Sequence, residues 1–185
     1  GGKVSIISGS SAETTSGELV LRTSDATKSG ATGMIILSTG SSSSGNSGAI
    51  YVGSGTAVGG RAGAIYVSGG TGDSGTGGEI VIQAGTTSAS SLGGQVTIAS
   101  GVSTKTSSGS LLLKTSDAAV GSSGVSGMII LSTGTSTLGD SGSVYIGTGT
   151  ATTGKAGSVF ISSGTGDTGT GGEIVIRGGF SSDTS

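Results

Sequence analysis

Hydrophobic and polar positions alternate along this chain on a fixed beat. The motif Gly, any residue, aliphatic, any residue, aliphatic occurs twelve times, opening at Gly2, Gly17, Gly33, Gly48, Gly63, Gly78, Gly94, Gly109, Gly127, Gly142, Gly157 and Gly172. Successive openings are 15 or 16 residues apart, except for a step of 18 between Gly109 and Gly127. All twenty-four aliphatic slots hold Val, Ile or Leu, from Val4 and Ile6 to Ile174 and Ile176. Alternation with period two over about five residues predicts a short β-strand. The glycines bracketing each run make a helix implausible. Between runs lies turn material, and corners such as Gly60-Arg61-Ala62-Gly63 supply residues that accept positive φ and close backbone approach.

A repeat this short cannot bury its own apolar face, so successive copies are expected to stack into a continuous core. Side chains at equivalent slots support in-register neighbours. Tyr51 is followed one copy later by Tyr66, Tyr145 by Phe160, Asp140 by Lys155 and Lys3 by Glu18. Like aromatics and opposite charges at matching slots suit parallel pairing. The expected fold is therefore all-β, a parallel β-solenoid with about 15 residues per coil and about twelve coils, Asp140 and Lys155 forming a ladder charge pair. A coil of two copies, or an antiparallel meander of hairpins, is the alternative.

A longer period overlies the short one. The stretch from Gly33 to Gly40 returns unchanged at Gly127 to Gly134, and Thr76 to Ile82 returns at Thr170 to Ile176, both 94 residues on. The stretch from Leu21 to Asp25 matches Leu113 to Asp117 at an offset of 92, which implies a two-residue insertion near Ala119–Gly124. Six copies thus make one super-repeat, with the first spanning residues 1–93 and the second 94–185 of one continuous array. The pattern is already in phase at Gly2, with no initiator Met, no leader and no polar cap. A segment of a longer repetitive chain is expected.

Composition sharpens this picture. Of 185 residues, 42 are Gly and 64 are Ser or Thr, while Pro, Cys, His and Trp are absent. Such a content suggests a flexible linker, but regularly placed aliphatics argue against disorder. Collagen is excluded, since it needs Gly at every third position and abundant Pro. A net charge of −2 with 10% charged residues offers no electrostatic basis for nucleic-acid or anionic-membrane partners. No run of 18 apolar residues is present, so no membrane span is expected.

Several strings imitate chemical motifs. The stretch from Gly149 to Ala156 approaches a phosphate-binding loop but lacks the Ser or Thr that meets magnesium, and no helix follows. Gly70–Gly75 and Gly164–Gly169 fit a dinucleotide fingerprint by letter, yet sit at corners instead of between a strand and a helix. Gly139-Asp140-Ser141-Gly142 is similar to the nucleophile loop of trypsin-like proteases, in a chain without a histidine base. The strings around Asp73 and Asp167 are similar to calcium-binding nonapeptides, but only one such Asp occurs per super-repeat, which reads as turn capping. No enzyme activity, cofactor or metal is expected.

The outward fourth slot is unusual. Ten of its twelve residues are apolar, including Ile36, Tyr51, Tyr66 and Val81, then Ile130, Tyr145, Phe160 and Val175. High β-propensity is one account. The other is a lateral contact stripe for a neighbouring layer or filament. Ser- and Thr-rich loops such as Ser41–Ser44, Thr86–Ser91 and Ser103–Ser108 are either solvated turns or O-glycan acceptors, and no N-glycosylation sequon is present.

The cadence of Ser-Gly, alternating aliphatics and Thr-Gly, carried by Gly142 to Gly149 and its sisters, resembles the Gly/Ser/Thr-rich repeat proteins of algal and other microbial cell surfaces. That resemblance implies a self-assembling, often glycosylated extracellular fibre or coat. A structural fibre segment at the cell surface, with itself as partner, is the leading expectation. A module binding polysaccharide or ice, or an adhesin stalk, is the alternative. Ice binding calls for a regular Thr array, whereas the fourth-slot row offers Val20, Tyr51 and Phe160, with Thr only at Thr97.

Overall fold

A computed structural model of the chain describes residues 1–119 and 123–181. Residues 120–122, inside the loop expected to carry the two-residue insertion, lie outside the described residues. The chain divides into two units, Gly1–Gln95 and Val96–Ser185.

The expected β-solenoid does not form. Among the described residues there is no helix and no β-strand, so neither parallel coils nor an antiparallel meander is present. Six backbone–backbone hydrogen bonds occur among them, and none joins one aliphatic run to another. A folded domain makes about one hydrogen bond per residue, so the ladder that would define a sheet is missing.

Local geometry supplies the reason. In a parallel solenoid the start of each copy lies beside the start of the previous one. Here the Gly17 amide instead donates to the Gly9 carbonyl at 2.8 Å, so the start of the second copy meets the end of the first. The same head-to-tail meeting recurs at Gly78 with Gly70, Gly94 with Gly85, Gly109 with Gly101, and Gly172 with Gly164. Parallel neighbours need a crossover of a dozen or more residues. A loop whose two ends are tied together cannot carry the chain back along the length of a strand. A connection tied in this way is closed on itself, in the manner of an Ω-loop.

Without neighbours the aliphatic runs stay open to solvent. No described residue is buried. The accessible surface is 18,619 Å², whereas a folded chain of 17.1 kDa would expose about 7,800 Å² and an unfolded one about 25,000 Å². A trace of the expected two-faced pattern survives at the third slot, where Ile50 is 48% exposed against 94% for Tyr51. The fifth slot, expected to face inward as well, does not follow: Ile82 is 73% exposed and its fourth-slot neighbour Val81 is 70%.

Amide hydrogen exchange of the dilute chain should therefore be near intrinsic rates throughout the aliphatic runs. Slowed exchange should be confined to the tied amides of Gly17, Gly78, Gly94, Gly109 and Gly172 and to turn amides such as Thr14, Ser91, Thr106 and Gly139. Protection spread over runs such as Ile50–Val52 would contradict the open arrangement.

Candidate functional site

The recurring feature is a clasp that closes the loop at nine of the eleven junctions between copies; the junctions at Gly63 and Gly142 carry no such hydrogen bond. Counting the opening Gly as first, the seventh residue of a copy is small and the eighth is usually Gly. Two clasp chemistries follow from the seventh residue. Where it is Ser8, Gly69, Ala84, Ser100 or Ser163, the next opening Gly donates its amide to the carbonyl of the eighth-position Gly. Where it is Thr23, Thr39, Thr115 or Thr148, the Thr hydroxyl donates to the carbonyl of Gly33, Gly48, Gly127 or Gly157 at 3.2–3.3 Å. The loops so closed span 9 to 12 residues.

Threonine makes a two-point contact there. A Cβ placed at Gly33 or Gly127 would come within 3.1 Å of the methyl of Thr23 or Thr115, and at Gly48 within 3.3 Å of that of Thr39. The Thr methyl thus occupies the side on which the opening Gly has no side chain, while the hydroxyl reaches its carbonyl. At the backbone clasps of Gly78 and Gly94 the approach is tighter still, with a Cβ lying 2.9 Å from the Gly70 nitrogen and 3.0 Å from the Gly85 nitrogen, whereas at Gly109 nothing lies nearer than 3.6 Å. Gly2 would meet nothing within 4 Å. Closure therefore leaves little room for a Cβ at Gly17, Gly33, Gly78, Gly94, Gly127 and Gly172, while positive φ is recorded at the loop residues Gly30, Gly45, Gly55 and Gly75. Protection follows the clasp: Ser8, Thr23, Ala84 and Thr115 at the seventh slot are among the few residues that are not fully exposed.

Hydroxyls also shape the loops. Ser11 accepts the Thr14 amide at 3.0 Å, and Ser103, 92 residues on, accepts the Thr106 amide at the same distance. These are short turns closed by a side chain, repeated at equivalent places in both super-repeats. The clasp residues have a sign in the sequence, since Thr-Gly or Ser-Gly follows seven of the twelve runs. As a pattern it is turn material; only the folded backbone makes it a contact.

The eight residues of the expected contact stripe remain open. Tyr51, Tyr66, Tyr145 and Phe160 are 90–94% exposed, and Ile36, Val81, Ile130 and Val175 are exposed too. No other layer of the described chain covers them. The Tyr145 ring leans along its own backbone, because a Cβ at Gly147 would come within 2.8 Å of the Tyr145 hydroxyl. Asp140 and Lys155 are both exposed, and no ion pair joins them among the described residues. Among the described residues there is no cavity, no group of three or more potential metal ligands, and no helix long and apolar enough to cross a membrane.

Compared with known proteins, the chain matches no family model, no curated protein and no solved structure. Its function has to be argued from its own residues.

Replacing Thr39 by Val keeps the methyl and removes the hydroxyl donor. Loop 40–47 should then open roughly 2- to 10-fold more often, the equivalent of one modest hydrogen bond, measured by limited proteolysis. Gly78→Ala should abolish the slowed exchange of that amide, because a Cβ does not fit at 2.9 Å, whereas Gly2→Ala should change nothing.

Proposed function

We propose that this chain is a repeat segment of a non-enzymatic structural protein that associates with itself into fibres or filaments at the cell surface or outside the cell. One observation carries the reading. All twenty-four aliphatic slots are exposed in the single chain, and they recur at steps of 15 or 16 residues with one of 18. Exposed apolar area on this scale marks an association surface, and its regular repetition suits assembly better than a single reaction centre. A net charge of −2 opposes association only weakly.

The Ser- and Thr-rich loops fit the same setting as O-glycan acceptors. Ser41–Ser44 and Thr86–Ser91 are fully exposed. The hydroxyls of Thr23, Thr39, Thr115 and Thr148 are engaged in clasps. Mass mapping of the native protein should place glycans on the loop hydroxyls and leave these four Thr unmodified.

Self-association should appear as concentration-dependent growth in sedimentation velocity, with filaments visible by electron microscopy. Sulfate should lower the concentration required, because it strengthens apolar burial. Sodium chloride should have little effect, because few charges are present to screen. A chain that stays monomeric up to about 1 mM, where contacts of about 4 kcal/mol already register, would overturn the reading.

A further inference from the structure

We propose that the loop from Ser54 to Gly63 is a processing site, where a trypsin-like protease cuts the bond between Arg61 and Ala62 ahead of the bonds in clasped loops. The loop joins the fourth copy to the fifth, so the cut divides the twelve copies into four and eight. Four basic residues lie between runs: Lys28, Arg61, Lys105 and Lys155. The Thr23 clasp closes the loop of Lys28, the Gly101–Gly109 clasp that of Lys105, and the Thr148 clasp that of Lys155. Arg61 alone among the four lies in an open loop. The other unclasped connection, 134–141, contains no Lys or Arg. No residue from Ser54 to Gly63 makes a hydrogen bond among the described residues.

Arg61 and Lys155 make the informative comparison, because they hold equivalent places 94 residues apart. Gly60-Arg61-Ala62-Gly63 matches Gly154-Lys155-Ala156-Gly157, so the residues nearest the two bonds are the same. Both basic residues are exposed, so exposure does not separate them. Closure does. A loop tied at its ends has to open before it can lie extended in a protease cleft, and cleavage then follows the population of the open form. The difference traces to one residue. Thr148 lodges its methyl 3.4 Å from where Gly157 would carry a Cβ and donates its hydroxyl to the Gly157 carbonyl at 3.2 Å. Ser54 has no methyl to fix its rotamer against Gly63, and its hydroxyl makes no such bond. Gly59 and Gly60 add slack, since a Cβ at either would meet nothing within 4 Å. Exposed loops of small residues are favoured points of nicking, and a cationic side chain suits the acidic specificity pocket of trypsin-like enzymes. The reaction consumes one water: the C–N bond breaks, leaving a carboxylate on Arg61 and an amine on Ala62.

The test is a time course of trypsin digestion of the dilute full chain, with fragments identified by mass. R61K removes any preference of the enzyme for Arg over Lys. In that variant the bond after position 61 should still be cut about 2- to 10-fold faster than the bond after Lys155, the equivalent of one modest hydrogen bond. S54T should slow cleavage after Arg61 by a similar factor, and T148S should speed cleavage after Lys155. Cleavage after Arg177, which lies beyond both loops, should keep its rate in all three variants. Equal rates at the two bonds of R61K would overturn the proposal. So would an unchanged rate after Arg61 in S54T, or a first loop cut after Lys28 or Lys105. None of these outcomes depends on self-association.

Discussion

Closure of a loop at the next opening glycine, present at nine of eleven junctions, is the contact on which the remaining structure depends. A single hydrogen bond, from an amide or a Thr hydroxyl, ties the start of one copy to the end of the copy before. Such a bond contributes about 0.5–1.5 kcal/mol net, and the entropy of closing a loop grows only slowly with its length. Clasps of this kind can therefore form one by one along the chain. Each is local, and no long-range partner is needed.

That same locality explains why the aliphatic runs stay bare. A sheet needs runs that are distant in sequence to lie side by side, with many bonds gained together. The head-to-tail clasp places Gly17 against Gly9, which rules out the parallel register, and beyond that single bond successive runs make no ladder. Two aliphatics per run and a glycine-rich backbone give little burial to set against the loss of chain freedom. The chain has no Cys, so no disulfide substitutes for a core. What remains is a regular succession of apolar positions open to solvent.

The chemical look-alikes fit this picture. The strings around Asp73, Asp140 and Asp167 all lie in the loops between runs, where Gly, Ser, Thr and Asp are selected by turn geometry. Short glycine-rich strings match catalytic or phosphate-binding patterns by composition, and among the described residues neither a cavity nor a group of three or more potential metal ligands accompanies them. The hydroxyls with a visible task are those that close loops, at Thr23, Thr39, Thr115 and Thr148, and those that shape turns, at Ser11, Thr87, Ser103 and Ser136.

The sequence alone determined the beat, the super-repeat and the lack of charge, because all three are properties of residue order. It also showed the apolar fourth-slot row, and it placed small residues after every run. Tertiary structure decided what those small residues do and whether the runs pair. The alternation at Ile50-Tyr51-Val52 states which side chains prefer burial, but the identity of the covering surface is a long-range property that one copy does not encode. Tyr51 and Tyr66 occupy matching slots whether or not their backbones are neighbours, so the resemblance between slots predicted a ladder that the clasp geometry forbids. Thr39 and Gly48 meet because a methyl fits where a glycine has no side chain, a match of shapes across a loop that only the folded backbone reveals.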